Sequence, residues 1–166
     1  MSTVAQTRTG QADPDVVLDD FAVTVSATIR TVAWQGAYTG TDPSPQATSF
    51  WVGFFEDSGG APVYLPFNGE RRRALSGATY AIEQVNQRLD TVSRCPSVQC
   101  ALFDYSVTLS TPFTVRPGRY WLWIQADLPG SSPAFWGWRR GLDDNLLSKP
   151  AIGSTILLWD LAFALR

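Results

Sequence analysis

Hydrophobic and polar positions alternate along most of this chain, and the period of two is that of pleated strands. Phe103, Tyr105, Val107 and Leu109 share one face against Asp104, Ser106 and Thr108 on the other, which predicts an amphipathic strand. The stretch from Tyr120 to Asp127 alternates too, but both of its faces are large. Tyr120, Leu122, Ile124 and Ala126 fall on one side, and Trp121, Trp123, Gln125 and Asp127 on the other. A strand of that kind belongs at a sheet centre, covered by one layer on each face. Pro117 and Gly118 before it are turn residues from which a strand can leave.

The same reading extends along the chain. Val23 and Val25 alternate with Thr24 and Ser26, and residues 27–38 continue with Ile29, Thr31 and Ala33 opposite Arg30, Val32 and Trp34. Phe50-Trp51-Val52-Gly53-Phe54-Phe55 is apolar on both faces and reads as a second central strand, ended by the turn residues at 57–62. Residues 63–67, between Pro62 and Pro66, predict a short edge strand. Phe135-Trp136-Gly137-Trp138-Arg139-Arg140 predicts another strand, with Trp136 and Trp138 on a common face. If it pairs with the 120–127 strand across the loop at 128–134, the two tryptophan pairs become cross-strand neighbours. Leu161, Phe163 and Leu165 close the pattern on a last strand. Residues 78–92 fit two templates, because Ala78, Ile82, Val85, Leu89 and Val92 recur at helical steps while Tyr80, Ile82 and Gln84 also alternate. Residues 1–14 are small, polar and aperiodic and predict a flexible N-terminal arm, leaving 15–166 as a single β-sandwich domain.

Composition supports that architecture. In 166 residues there are 13 glycines and 11 prolines, aromatics reach 13% and charged residues only 17%, a profile of short strands and many turns. The expected fold is all-β, a two-layer antiparallel sandwich of the jelly-roll or Greek-key kind. With a net charge of −2 the chain has no electrostatic footprint for nucleic acid. Arg71-Arg72-Arg73, after Asn68-Gly69-Glu70, reads as a solvated loop. No apolar window is long enough to span a membrane, and residues 1–10 lack the charged-then-apolar pattern of a secretory signal.

The chain contains no histidine, which removes Ser-His-Asp and Cys-His mechanisms and histidine-ligated metals. No Walker loop or dinucleotide fingerprint follows a strand. Paired carboxylates remain open, since glycoside hydrolysis needs only two acids; Glu56, Glu70, Glu83, Asp104 and Asp127 are the candidates, each also readable as a solvated acid. A Ca²⁺ site is open at Asp13, Asp15, Asp19 and Asp20, or at Asp143, Asp144 and Asn145, although neither group matches a ligand loop and turn formation explains both. Beyond that, no cofactor is expected. Cys95 and Cys100 enclose four residues, a spacing that can close a small loop at a hairpin end, and a disulfide is the preferred reading over free thiols.

The tryptophans offer three readings: plain core, an inter-subunit contact, or a sugar-stacking platform built from Trp121, Trp123, Trp136 and Trp138 with Gln125, Asp127 and Arg139 nearby.

Taken in order, Val17-Leu18-Asp19-Asp20-Phe21, the run from Phe54 through Asp57-Ser58-Gly59-Gly60 to Pro62, Tyr105-Ser106-Val107-Thr108-Leu109, the 118–127 strand, Trp136-Gly137-Trp138 and Asp160-Leu161-Ala162-Phe163-Ala164-Leu165 resemble the β-sandwich modules of bacterial secreted and surface-anchored proteins. The resemblance covers nearly all of the chain after Pro14. It implies an extracellular or cell-surface location, and a long strand over residues 78–92 paired with the one that contains Tyr105. Such a module is expected to be non-catalytic and to serve a surface layer, filament or virion, with self-association or neighbouring subunits as partners. The alternative is a carbohydrate-binding module that holds polysaccharide on its tryptophan face.

Overall fold

The computed structural model describes residues 2–4, 6–8, 17–40, 44–63, 74–95, 98–139, 148–150 and 161–166. Their strands are β1 (Ser2–Val4), β2 (Gln6–Arg8), β3 (Val17–Val23), β4 (Ala27–Gly40), β5 (Ser49–Glu56), β6 (Ser76–Ala81), β7 (Asn86–Cys95), β8 (Val98–Val115), β9 (Gly118–Leu128), β10 (Ala134–Arg139), β11 (Ser148–Pro150) and β12 (Phe163–Leu165). They form two sheets packed face to face, so the expected antiparallel β-sandwich is what the chain adopts. The first sheet runs β1-β10-β4-β8-β7, with β12 also on β4; the second runs β11-β3-β9-β5-β6, with β2 on β9. Every pairing is antiparallel except that of β2 with β9.

Two-sided burial singles out β9 and β5, as their composition demands. Leu122, Ile124 and Ala126 of β9 join Phe50, Val52 and Phe54 of β5 in the core between the sheets. Trp121 and Trp123 join Leu18, Trp51 and Phe55 in a second cluster on the opposite face of the same sheet. Facing the main core from the other sheet are Trp34, Tyr38, Phe103, Tyr105, Trp136 and Trp138.

The pairing expected between the 120–127 and 135–140 strands does not occur. β10 pairs with β4, Trp136 opposite Tyr38 and Trp138 opposite Gly36, and so lies in the other sheet from β9. The connection between β9 and β10 crosses the sandwich instead of closing a hairpin. The Ser132 N–H donates to the Pro129 carbonyl at 3.0 Å and the Ser132 hydroxyl accepts the Ala134 N–H at 3.2 Å, which holds the crossing in place. Gly40 is required there: its φ is +135°, and a Cβ would stand 2.7 Å from the Pro133 carbonyl oxygen.

Residues 78–92 are neither one helix nor one long strand. The chain leaves the second sheet at the end of β6, makes a 3₁₀ turn at Ile82–Gln84, and enters the first sheet as β7. The Gln84 side chain accepts the Ala81 N–H at 2.9 Å, and the Ile82 N–H donates to the Thr48 carbonyl at 3.0 Å. Val85 is buried but Leu89 is half exposed, so the helical stripe never forms a single buried face. The pairing with the Tyr105 strand does hold, Gln87 lying opposite Tyr105.

β8 is one strand of 18 residues that runs through Pro112. The register against β4 jumps at that place, from Ile29 opposite Phe113 to Thr31 opposite Thr108, which spares the proline a ladder bond it cannot make. Within the N-terminal segment, the described residues 2–4 and 6–8 pair with the body. β1 adds to β10, with Ser2 opposite Arg139 and Val4 opposite Gly137, and β2 adds to β9, with Gln6 opposite Ala126. The expected edge strand at 63–67 falls outside the described residues from position 64 onward. Among the described residues no helix is long and apolar enough to cross a membrane.

Candidate functional site

The tryptophan platform is not present on the surface. Trp121, Trp123, Trp136 and Trp138 are each 0% exposed, and they divide between two clusters on two sheets. Trp51 lies 5.9 Å from Trp123 in an edge-to-face contact, while Trp136 meets Phe50 edge-on at 5.3 Å. The indole N–H of Trp121 donates to Asp57 Oδ1 at 2.7 Å and that of Trp138 to the Ala162 carbonyl at 3.1 Å, so both polar tips are answered inside the chain. Gln125 is buried as well. Asp127 is half-buried and accepts the Ser49 hydroxyl at 2.7 Å across the β5–β9 pair. Of the seven residues assigned to that face, Arg139 borders an open cavity. The physical reason is the crossing between β9 and β10, which puts the two tryptophan pairs on different layers.

Asp13, Asp15, Glu70, Asp143 and Asp144 lie outside the described residues, and so does the arginine run at 71–73. Asp19 and Asp20 are neighbours on β3 and point to opposite faces. Asp19 accepts the Leu161 N–H at 2.7 Å and the Asp20 N–H at 3.1 Å; it clasps the backbone that leads into β12. Asp20 faces Arg119 of β9, with 3.3 Å between Oδ2 and Nε. Asp19 and Asp20, the two of those expected calcium ligands that are described, are therefore engaged by the chain itself, and no cluster of three metal-ligating side chains exists among the described residues. Glu56 and Glu83 are exposed. Cys100 is buried and is not a free thiol, while the side chain of Cys95 lies outside the described residues.

What the fold does build is a cleft of about 970 Å³ bordered by both sheets, with Asp19 and Asp20 of β3 on one side and Gln35, Arg88, Asp104 and Arg139 of the first sheet on the other. One polar rung in its lining crosses four adjacent strands of the first sheet. Arg88 on β7 donates to Asp104 Oδ2 on β8 at 2.7 Å, Gln35 on β4 donates to Asp104 Oδ1 at 2.7 Å, and Arg139 on β10 donates to Gln35 Oε1 at 2.8 Å. Register places these residues together, since Asp104 faces both Arg88 and Gln35. The Arg88 guanidinium, followed by the Gln35 amide, holds the Asp104 carboxyl below the usual carboxylate range. In the core, burial pushes the phenols of Tyr105 and Tyr38 up, and the Tyr38 oxygen accepts the Ala47 N–H at 3.1 Å, which marks these hydroxyls as core fittings.

With this geometry in view, the comparison with protein families is informative about kinship alone. The chain belongs to the DUF7901 family, a domain of unknown function, whose model matches residues 3–164. No curated protein and no solved structure matches the chain.

In this DUF7901 chain the rung is built to hold strands in register and to present guanidinium N–H groups. Both Asp104 oxygens and both ends of the Gln35 amide are engaged, while each arginine keeps donors to spare. Sequence reading placed Asp104 on the polar side of its strand and named Arg139, but it missed Gln35 and Arg88. Alternation did carry a signal for Gln35, which follows the core residue Trp34 and must face outward. Its partnership with Asp104, 69 positions away, is a matter of register that no local pattern encodes.

Proposed function

We propose that this DUF7901 chain is a non-catalytic, extracellular-type β-sandwich that serves as a structural or assembly module of a surface layer, filament or virion, with other copies or neighbouring subunits as its partners. The observation that carries this reading is at the sheet margins. One short segment supplies β1 to one sheet and β2 to the other, so that backbone ladder bonds from added strands complete both layers. Two further features support it. Apart from Phe135, the large aromatic side chains among the described residues are spent on internal packing, and Asp19, Asp20 and Asp104 are committed to ion pairs or backbone N–H groups. A protein that works by association needs no more than sound packing and edges that accept a strand.

Sedimentation of the full chain over a concentration series, beside a variant lacking residues 2–8, tests the reading. Association should grow with concentration in the full chain and fall sharply in the deletion. A chain that stays monomeric up to millimolar concentration would overturn it.

A further inference from the structure

We infer that the segment carrying β1 and β2 is exchangeable between copies: its occupant site on β10 and β9 of one copy accepts the same segment from a second copy of this chain. The inference rests on the assembly reading above and names the surface and the partner.

The segment is made of two three-residue strands, and they attach to different sheets in different senses. β1 runs antiparallel to β10, with Ser2, Thr3 and Val4 opposite Arg139, Trp138 and Gly137. β2 runs parallel to β9, with Gln6, Thr7 and Arg8 opposite Ala126, Asp127 and Leu128. On β9 the ladder with β3 ends at Trp123, so β2 occupies a stretch that β3 does not reach. The receiving strands are therefore fixed by the sandwich itself: β10 by its ladder to β4, and β9 by its ladders to β3 and β5.

A segment delivered by another copy would make the same backbone bonds in the same register. Exchange of an identical element changes no contact, so the choice between the chain's own segment and a neighbour's is set by the link and by concentration. The link to β3 is the eight residues 9–16, which include Gly10 and Pro14 and reach at most about 29 Å when extended. A short link of this kind holds its segment at an effective concentration on the order of millimolar. Exchange should therefore appear as the concentration of copies approaches that value, as it would in a packed layer. Each copy carries one donor segment and one acceptor margin, which suits a repeating assembly.

Two single-cysteine variants test the exchange, because Ser2 and Arg139 are opposed in the register. A tagged Ser2→Cys chain and an untagged Arg139→Cys chain are mixed across the concentration range and mildly oxidised, with Ser2→Cys plus unsubstituted chain as control. Exchange predicts a reducible heterodimer of tagged and untagged chains, at least tenfold above the control and rising with concentration. Sedimentation that shows association while no such heterodimer forms would overturn the exchange and leave the assembly reading standing. Sedimentation that shows only monomer would overturn both.

Discussion

Replacing Trp136 by alanine will cost the fold about 3–5 kcal/mol, the range found when a buried aromatic is truncated in a core. At the size of this chain that corresponds to a fall in Tm of roughly 6–20 °C, read by thermal unfolding followed with circular dichroism. The indole is wholly buried between the sheets, edge-on to Phe50 at 5.3 Å and to Tyr105 at 6.3 Å. Those two rings also meet each other and Trp34, so the alanine variant opens a void in the middle of an aromatic cluster. Neighbours held on strands of a ladder cannot collapse far to fill it. A loss below about 1 kcal/mol would mean that Trp136 is not packed in this way.

The second large effect comes from adding atoms under the same ring. At Gly36 a Cβ would stand 2.5 Å from Cζ2 of Trp136 and 2.7 Å from its Cε2 and Nε1, closer than carbon atoms approach. The ring has nowhere to go, so Gly36→Val should cost about 1–3 kcal/mol or more through overpacking, and Gly36→Ala part of that. Coupling makes the test specific. In a Trp136→Phe background the smaller ring leaves room, and Gly36→Ala should cost about 1 kcal/mol less there than in the unsubstituted chain. Urea titrations of the four chains measure this cycle, and strict additivity would contradict the packing of Trp136 on Gly36. A similar relation recurs on the other sheet, where Trp51 lies over Gly53 and Gly77.

How far the sequence could be read follows from the range of each interaction. Alternation at 103–109, 120–127 and 50–55 reports local geometry, and the strands and their two-sided burial stand where that pattern put them. Partner choice is not local. The loop at 128–134 is short enough for a hairpin, yet β10 goes to β4, because the inward-facing Trp136 and Trp138 complete the core opposite Phe50. The type of a tryptophan says that it is worth burying; which layer buries it depends on that partner choice. Residues 78–92 misled for a related reason. A strand that changes sheets keeps its alternation on either side of the turn, and the turn at 82–84 shifts the phase enough to imitate a helix.

The margins and the rung were harder still. Ser2, Thr3 and Val4 have no periodic pattern to declare a strand, since strands added at an edge are held by backbone bonds rather than by a buried face. Asp104 was legible as an outward acid, but Arg88 and Gln35 come to it only through the register of β7, β8 and β4. The candidate calcium ligands Asp19 and Asp20 illustrate the same limit, because adjacent positions on a strand face apart.

Fluorescence quenching tests the internal placement of the indoles most directly. Six of the seven tryptophans, at positions 34, 51, 121, 123, 136 and 138, are at most 7% exposed. The native chain should therefore emit to the blue of free indole, with most of its emission beyond the reach of iodide and unmoved by polysaccharide. Red-shifted emission that iodide quenches through most of its intensity in the folded chain would contradict the account.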